Sequence, residues 1–174
     1  MSNPEQALAS LRSRIDRLDV RIVELLNRRT RLAIAIGRIK HQRGDPVFTP
    51  GRERDVVKKV TAASSGPLGR GELKAIYREI MSAALRFEGG LVVGVWAGDG
   101  AGAQWASRLR LGDATRVKTF TSRLALLKAL AGGSISFAVV SARNRKVPPE
   151  GAVDTIELPG RTGTFYLLST GGRT

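Results

Sequence analysis

The sequence predicts an α plus small α/β molecule. A three-helix unit with a long first helix occupies residues 1–89, and a small α/β unit follows over residues 90–174. Three observations predict it. A heptad stripe runs unbroken through the first forty residues. Two shorter helical patterns follow, each bounded by Gly, Ser or Pro. Past Gly89-Gly90 the pattern changes to short apolar runs alternating with helical ones.

The stripe consists of Leu8, Leu11, Ile15, Leu18, Ile22, Leu25, Arg29, Leu32, Ile36 and Ile39, spaced 3, 4, 3, 4 throughout. These are the a and d positions of one helix, expected from about Pro4 to His41. Nine members are Leu or Ile, and the exception, Arg29, puts a guanidinium on an apolar seam. Such a charge is costly unless an anion meets it. The adjoining e row carries Arg12 and Lys40. Arg29 and Lys40 lie about 16 Å apart along the axis, close enough for two long side chains to grip one small dianion. Arg12 lies about 25 Å from Arg29 and about 42 Å from Lys40, so it would serve a site completed by another subunit. The competing reading is a plain coiled coil, with Arg29 setting register and Arg12 and Lys40 solvated.

Arg43-Gly44-Asp45-Pro46 breaks this helix. Thr49 before Pro50 is an N-cap followed by proline at the first helical position, so a second helix starts there and stops near Ser64-Ser65-Gly66-Pro67. A third runs to about Glu88, with Leu73, Ile76, Tyr77, Ile80, Met81, Ala84 and Phe87 on its apolar face. Two short helices cannot cover so long a seam, which points to dimerisation. In the second unit, strands are expected at Leu91–Trp96, Val117–Phe120, Ile135–Val140 and Thr164–Ser169. Helices are expected around Ala103–Leu109 and, capped by Thr121, through Leu124, Leu127 and Leu130. Arg143 to Val153 reads as a loop and Gly171 to Thr174 as a frayed end.

Composition narrows the chemistry. Lys and Arg number 29 against 15 Asp and Glu, for a net charge of +14. The excess is spread over both halves, 18 against 10 up to Gly90 and 11 against 5 beyond, and suits anionic partners. With no cysteine there is no thiolate or disulfide chemistry, and the single His41 builds neither a metal site nor a Ser-His-Asp triad. The N-terminus lacks the apolar core of a signal peptide, and no run of 18 apolar residues spans a membrane, so a cytoplasmic protein is expected. The candidate constellation is Arg29, Lys40, Arg52, Glu53 and Glu88, plus Arg12 from a partner. It offers cations for carboxylates and one carboxyl that burial can hold neutral. It has no nucleophile, metal set or imidazole base. Such a site binds and stabilises charge, and a reaction without a covalent intermediate or cofactor suits it.

From Leu8 to Glu88 the chain resembles the all-helical (AroQ-class) chorismate mutases. The resemblance rests on LRSRIDRLD (Leu11 to Asp19), LLNRR (Leu25 to Arg29), the IGRIK run ending at Lys40, PV-x-x-P-x-RE from Pro46 to Glu53, and YREIMSAALRFE from Tyr77 to Glu88, all in order. It implies an intertwined homodimer with two equivalent sites. It also implies a cofactor-free Claisen rearrangement of chorismate to prephenate, a step of aromatic amino acid biosynthesis. By position, Arg29 and the partner subunit's Arg12 would hold the carboxylates and Arg52 would support the site. Lys40 would donate to the ether oxygen, Glu53 would accept from the ring hydroxyl, and Glu88 would be the second donor to the ether oxygen. Thr49 stands where relatives often have an acid, and Ala84 where they often have serine. Glu88 stands where many carry glutamine. A glutamate donates only when protonated, so activity is expected to rise as pH falls below neutral.

The second unit resembles one lobe of a prephenate dehydratase, through GDGAGAQWA (Gly98 to Ala106) and AGGSISFAVVSARN (Ala131 to Asn144). Arg143-Asn144 replaces that family's Glu-Asn, and Gly163-Thr164-Phe165 only echoes its Thr-Arg-Phe signature. No dehydratase activity is therefore expected. The lobe is expected to stabilise the dimer, bind a small effector or dock a partner enzyme. Gly98 to Ala103 also fits the G-x-G-x-x-A dinucleotide pattern, but no acidic residue ends the next strand. Isochorismate pyruvate lyase is the rival enzyme reading. A basic helical dimer that binds nucleic acid is the rival from another class, disfavoured because the cations follow an apolar seam. A regulator that has lost catalysis is a third, against which Arg29, Lys40, Arg52 and Glu53 speak.

Overall fold

Forty residues of continuous helix, α1 (Pro4–Arg43), open the chain in the computed structural model, which describes residues 3–45, 48–142, 148–160 and 163–170. Its ends are encoded locally. The Asn3 side chain accepts from the Glu5 amide at 3.1 Å, and Gly44 closes the helix in the left-handed conformation at φ 71°. Lys40, His41 and Arg43 lie in the last turn, where cations complement the helix dipole. The helix thus runs past the expected stop at His41, because the left-handed glycine that ends it comes three residues later.

Helix α2 (Pro50–Ala62) begins after Thr49 as the Thr-Pro pair predicts, although the Thr49 side chain makes no capping hydrogen bond. Helix α3 (Arg70–Phe87) packs against both α1 and α2. Among the residues of α1 only Gly37 is buried. The nine apolar members of the heptad stripe are 49% to 64% exposed, so the protomer's own helices do not cover the seam.

The second half is a five-stranded mixed sheet in the order β2-β1-β3-β5-β4. Strand β1 (Val92–Trp96) lies parallel to β2 (Arg116–Phe120) and to β3 (Phe137–Ser141). Strand β5 (Thr164–Leu168) runs antiparallel to β3 and to β4 (Ala152–Glu157). The period-2 alternation of strands divides the core in two. Val93, Val95, Phe137, Val139, Phe165 and Leu167 face α4 (Gly100–Leu111). Ala138, Val140, Tyr166 and Leu168 face α5 (Arg123–Ala131). The α4 face also receives Phe48 and Leu85 from the helical half.

Two local expectations are corrected. Ser122, not Thr121, caps α5, its hydroxyl accepting from the Ala125 amide at 3.1 Å. The expected loop at Arg143 to Val153 gives way at Ala152 to β4, whose register shifts between Ala152 and Asp154. A charged residue in mid-strand hides the alternation in sequence, and Asp154 is tolerated there because Arg110 meets it. Pro46-Val47, Arg143-Asn144 and Gly171–Thr174 lie outside the described residues.

The dinucleotide-like turn is tied to the sheet. The Asp99 carboxylate accepts from the Ser141 amide at 3.1 Å and from the Ser141 hydroxyl at 2.6 Å. A Cβ on Gly102 would stand 3.0 Å from the Phe165 ring.

Candidate active site

Helices α1 and α3 meet where α3 ends. A Cβ on Gly37 would lie 2.9 Å from the Cβ of Glu88 and 3.0 Å from its Cα. Only glycine lets the helices approach so closely, and the contact sets Glu88 against α1 about one turn before Lys40. Arg29 stands about 12 Å back along the same helix.

These three residues sense one another. Burial raises the Glu88 pKa above its ordinary 4.5, and the positive charges of Lys40 and Arg29 pull against that without cancelling it. Glu88 is half-buried, as are Arg29 and Lys40. Arg29 Nη1 is buried and meets no hydrogen-bond acceptor among the described residues. An unsatisfied buried donor costs about 1–3 kcal/mol, more when charged, and an incoming anion recovers that. The cluster therefore offers an unfilled guanidinium N–H, a lysine and a carboxyl biased toward its protonated, donating form. That set is suited to a small carboxylate-bearing ligand and to negative charge developing on an oxygen.

The other predicted residues lie around this cluster or away from it. Ala84 is 3% exposed on α3, one turn before Glu88. Thr49 is half-buried ahead of α2, and Arg52 is exposed in its first turn. Arg12 is exposed on the N-terminal part of α1, far along the helix from Arg29 within its own chain. Glu53 is turned toward the α/β half, where Arg110 Nη1 of α4 donates to its Oε2 at 2.5 Å and Arg110 Nε donates to Asp154 Oδ2 at 2.5 Å. Burial opposes the Arg110 charge, but Glu53 and Asp154 outweigh it and hold the pKa above the usual arginine value. Sequence reasoning did not single out Arg110. It reads as a cation in the last turn of a helix, and its two acids are 57 and 44 residues away.

Further contacts join the two halves between α3 and the end of α4. Arg78 Nη1 donates to the Leu109 carbonyl at 3.1 Å, and the Asp113 amide donates to Glu79 Oε2 at 3.1 Å. At Gly112, with φ 84°, the backbone comes so near Ser82 that a Cβ would sit 2.4 Å from the serine Cβ.

Comparison with known proteins gives a consistent result. The family described as chorismate mutase type II matches residues 11–89. A bifunctional chorismate mutase/prephenate dehydratase of Pseudomonas aeruginosa is 35% identical over 159 residues, covering 88% of this chain and 42% of that protein. The similarity thus extends beyond the helical half. A protein of the same description from Aquifex aeolicus is 40% identical over 87 residues, 48% of this chain and 24% of that one. A solved chorismate mutase from Thermus thermophilus is 32% identical, with a TM-score of 0.47 over 48% of this chain and 94% of that one. The chain spans about two fifths of the length of the Pseudomonas relative.

Proposed function

With residues 11–89 a chorismate mutase type II domain, we propose that the chain rearranges chorismate to prephenate, for aromatic amino acid biosynthesis. One observation carries the reading within the fold. Arg29, with its unsatisfied buried N–H, and Lys40 both act on the half-buried carboxyl of Glu88.

In this Claisen rearrangement one C–O bond breaks as one C–C bond forms, and nothing enters or leaves. The protein's task is to hold a flexible dianion in its reactive shape and to stabilise charge on the ether oxygen. Arg29 and the partner subunit's Arg12 hold the two carboxylates. Lys40 and protonated Glu88 donate to the ether oxygen as the C–O bond opens. Glu53 accepts from the ring hydroxyl, Arg52 supports the bound carboxylates, and Thr49 and Ala84 line the pocket. No cofactor or metal takes part.

A homodimer completes the site, with paired α1 helices covering the exposed stripe. Residues 1–89 are the catalytic domain in this reading. Residues 90–174 resemble a dehydratase lobe without its chemistry and support the first half, with a small effector or a partner enzyme as further ligands. Among the described residues no helix is long and apolar enough to cross a membrane.

The test follows chorismate consumption by wild type and Lys40→Ala at about pH 5.5 and 7.5, with products separated by chromatography. Prephenate from wild type and a loss of about a hundredfold or more in the variant is expected. Pyruvate among the products would make the chain a lyase. No turnover at either pH would leave a binding or regulatory protein, and duplex DNA would be tried next.

A further inference from the structure

A cleft of about 980 Å³ lies between the two halves, walled by α2 and α3 on one side and by α4 and β4 on the other. It is separate from the cluster of Arg29, Lys40 and Glu88, none of which lines it. Six cations and three acids line the cleft, a surplus of three positive charges. Two of the acids are already engaged, since Arg110 binds both Glu53 and Asp154 within the wall.

Four of the cations are unmatched. Arg54 and Lys58 stand about one turn apart on α2, and Arg70 and Lys74 about one turn apart on α3, roughly 6 Å along each axis. None of the four forms an ion pair among the described residues. Like charges at this spacing repel and weaken a helix. Arg70 also stands in the first turn of α3, where the helix dipole disfavours a cation. Two helices thus give up local stability to face one cleft with four positive charges, a conflict with local preference expected where a ligand completes the arrangement. The same cleft presents apolar surface from Val57 of α2, Leu109 of α4 and the buried Ile156 of β4.

We propose that this cleft binds a small organic anion carrying three or more negative charges on a ring, an aromatic polycarboxylate or a nucleotide-like phosphate ester. The charge matches the surplus of the walls, and the volume is that of a pocket for a small molecule. Arg54, Lys58, Arg70 and Lys74 meet the anionic groups, and the ring lies on Val57, Leu109 and Ile156. Such a ligand touches both halves at once and so favours their docked arrangement. The site is independent of the mutase reading, and its ligand is not chorismate. It gives the small effector expected of this chain a place and a chemistry.

The experiment is isothermal titration calorimetry on the full chain with two ringed probes, trimesate for carboxylates and ATP for phosphates. Each is paired with a ringless counterpart, citrate for trimesate and inorganic tripolyphosphate for ATP. Saturable binding of trimesate or ATP is expected, and whichever binds identifies the anion class. Its ringless counterpart is expected to bind at least about fivefold more weakly, because it leaves the apolar surface uncovered. Lys58→Glu combined with Lys74→Glu is expected to weaken binding by about tenfold or more. Lys40→Ala, in the other cluster, is expected to bind as wild type does. Lys58→Gln combined with Lys74→Gln carries the test if the glutamate pair does not fold, as judged by circular dichroism. The absence of saturable binding by both ringed probes overturns the proposal. So does binding that the Lys58 and Lys74 variants leave unchanged, binding that Lys40→Ala abolishes, or a ringless probe that binds as tightly as its ringed partner. Chorismate turnover by the same preparation tests the mutase reading separately.

Discussion

Glu88 is the residue on whose protonation the proposed reaction depends. Its pKa is raised, chiefly by burial, with Lys40 and Arg29 opposing. A raised carboxyl pKa makes the protonated donor persist to higher pH than it would in water. The mutase rate is therefore expected to climb as pH falls from neutral toward the Glu88 pKa. Glu88→Gln, a donor at every pH, is expected to flatten that climb, as measured by kcat/KM across the range. The stability consequence has the same sign. The folded state binds the Glu88 proton more tightly than the unfolded chain does. The associated stability is full below the unfolded-state pKa and is lost as pH rises through the higher folded-state value. Glu88→Gln should therefore melt no lower than wild type at neutral pH, so a fall in rate cannot be ascribed to unfolding.

At the scale of elements, two helix surfaces carry most of the proposed site. One is the α1–α3 contact at Gly37. Gly37→Ala would force a methyl against the Glu88 backbone and Cβ, and since backbone cannot swing aside, α3 must shift. Its expected result is a loss of about tenfold or more in kcat/KM from displacement of Glu88. Helicity should be retained, because alanine is the better helix former. A variant as active as wild type would mean that the carboxyl need not lie where Gly37 holds it. The other surface is the apolar stripe of α1. Leu18→Asp places a charge in the middle of the proposed helix pairing, and a loss of dimer by light scattering, with loss of turnover, is expected. A variant still dimeric at micromolar concentration would place the subunit contact elsewhere.

For the whole molecule, the helical half was legible because its signals are local and in register. The heptad spacing, Thr49-Pro50 and the run ending at Glu88 each report on a helix within a few turns. The cluster of Arg29, Lys40 and Glu88 was legible for the same reason, as two of its members share one helix face. The sheet was read in four of its five strands. The fifth, β4, escaped because Asp154 breaks its alternation, and the reason for an acid there is a cation 44 residues away. Arg110 and Phe48 escaped likewise, since their importance arises only when the two halves dock. Long-range charge pairing leaves no periodic trace in a single sequence, whereas the faces of helices and strands do.

The length of α1 has one more consequence. Arg12 and Arg29 stand too far apart on one helix to grip the same small molecule, so in the proposed dimer each site would borrow Arg12 from the neighbouring chain. Two defective proteins should then repair each other. Chains carrying Arg12→Ala and chains carrying Lys40→Ala are each expected to be nearly inactive alone. When they are mixed and allowed to exchange, half of the dimers pair one of each, and such a dimer has one site with both residues intact and one with neither. Activity should return to about a quarter of wild type, a recovery that requires the two chains to share their sites.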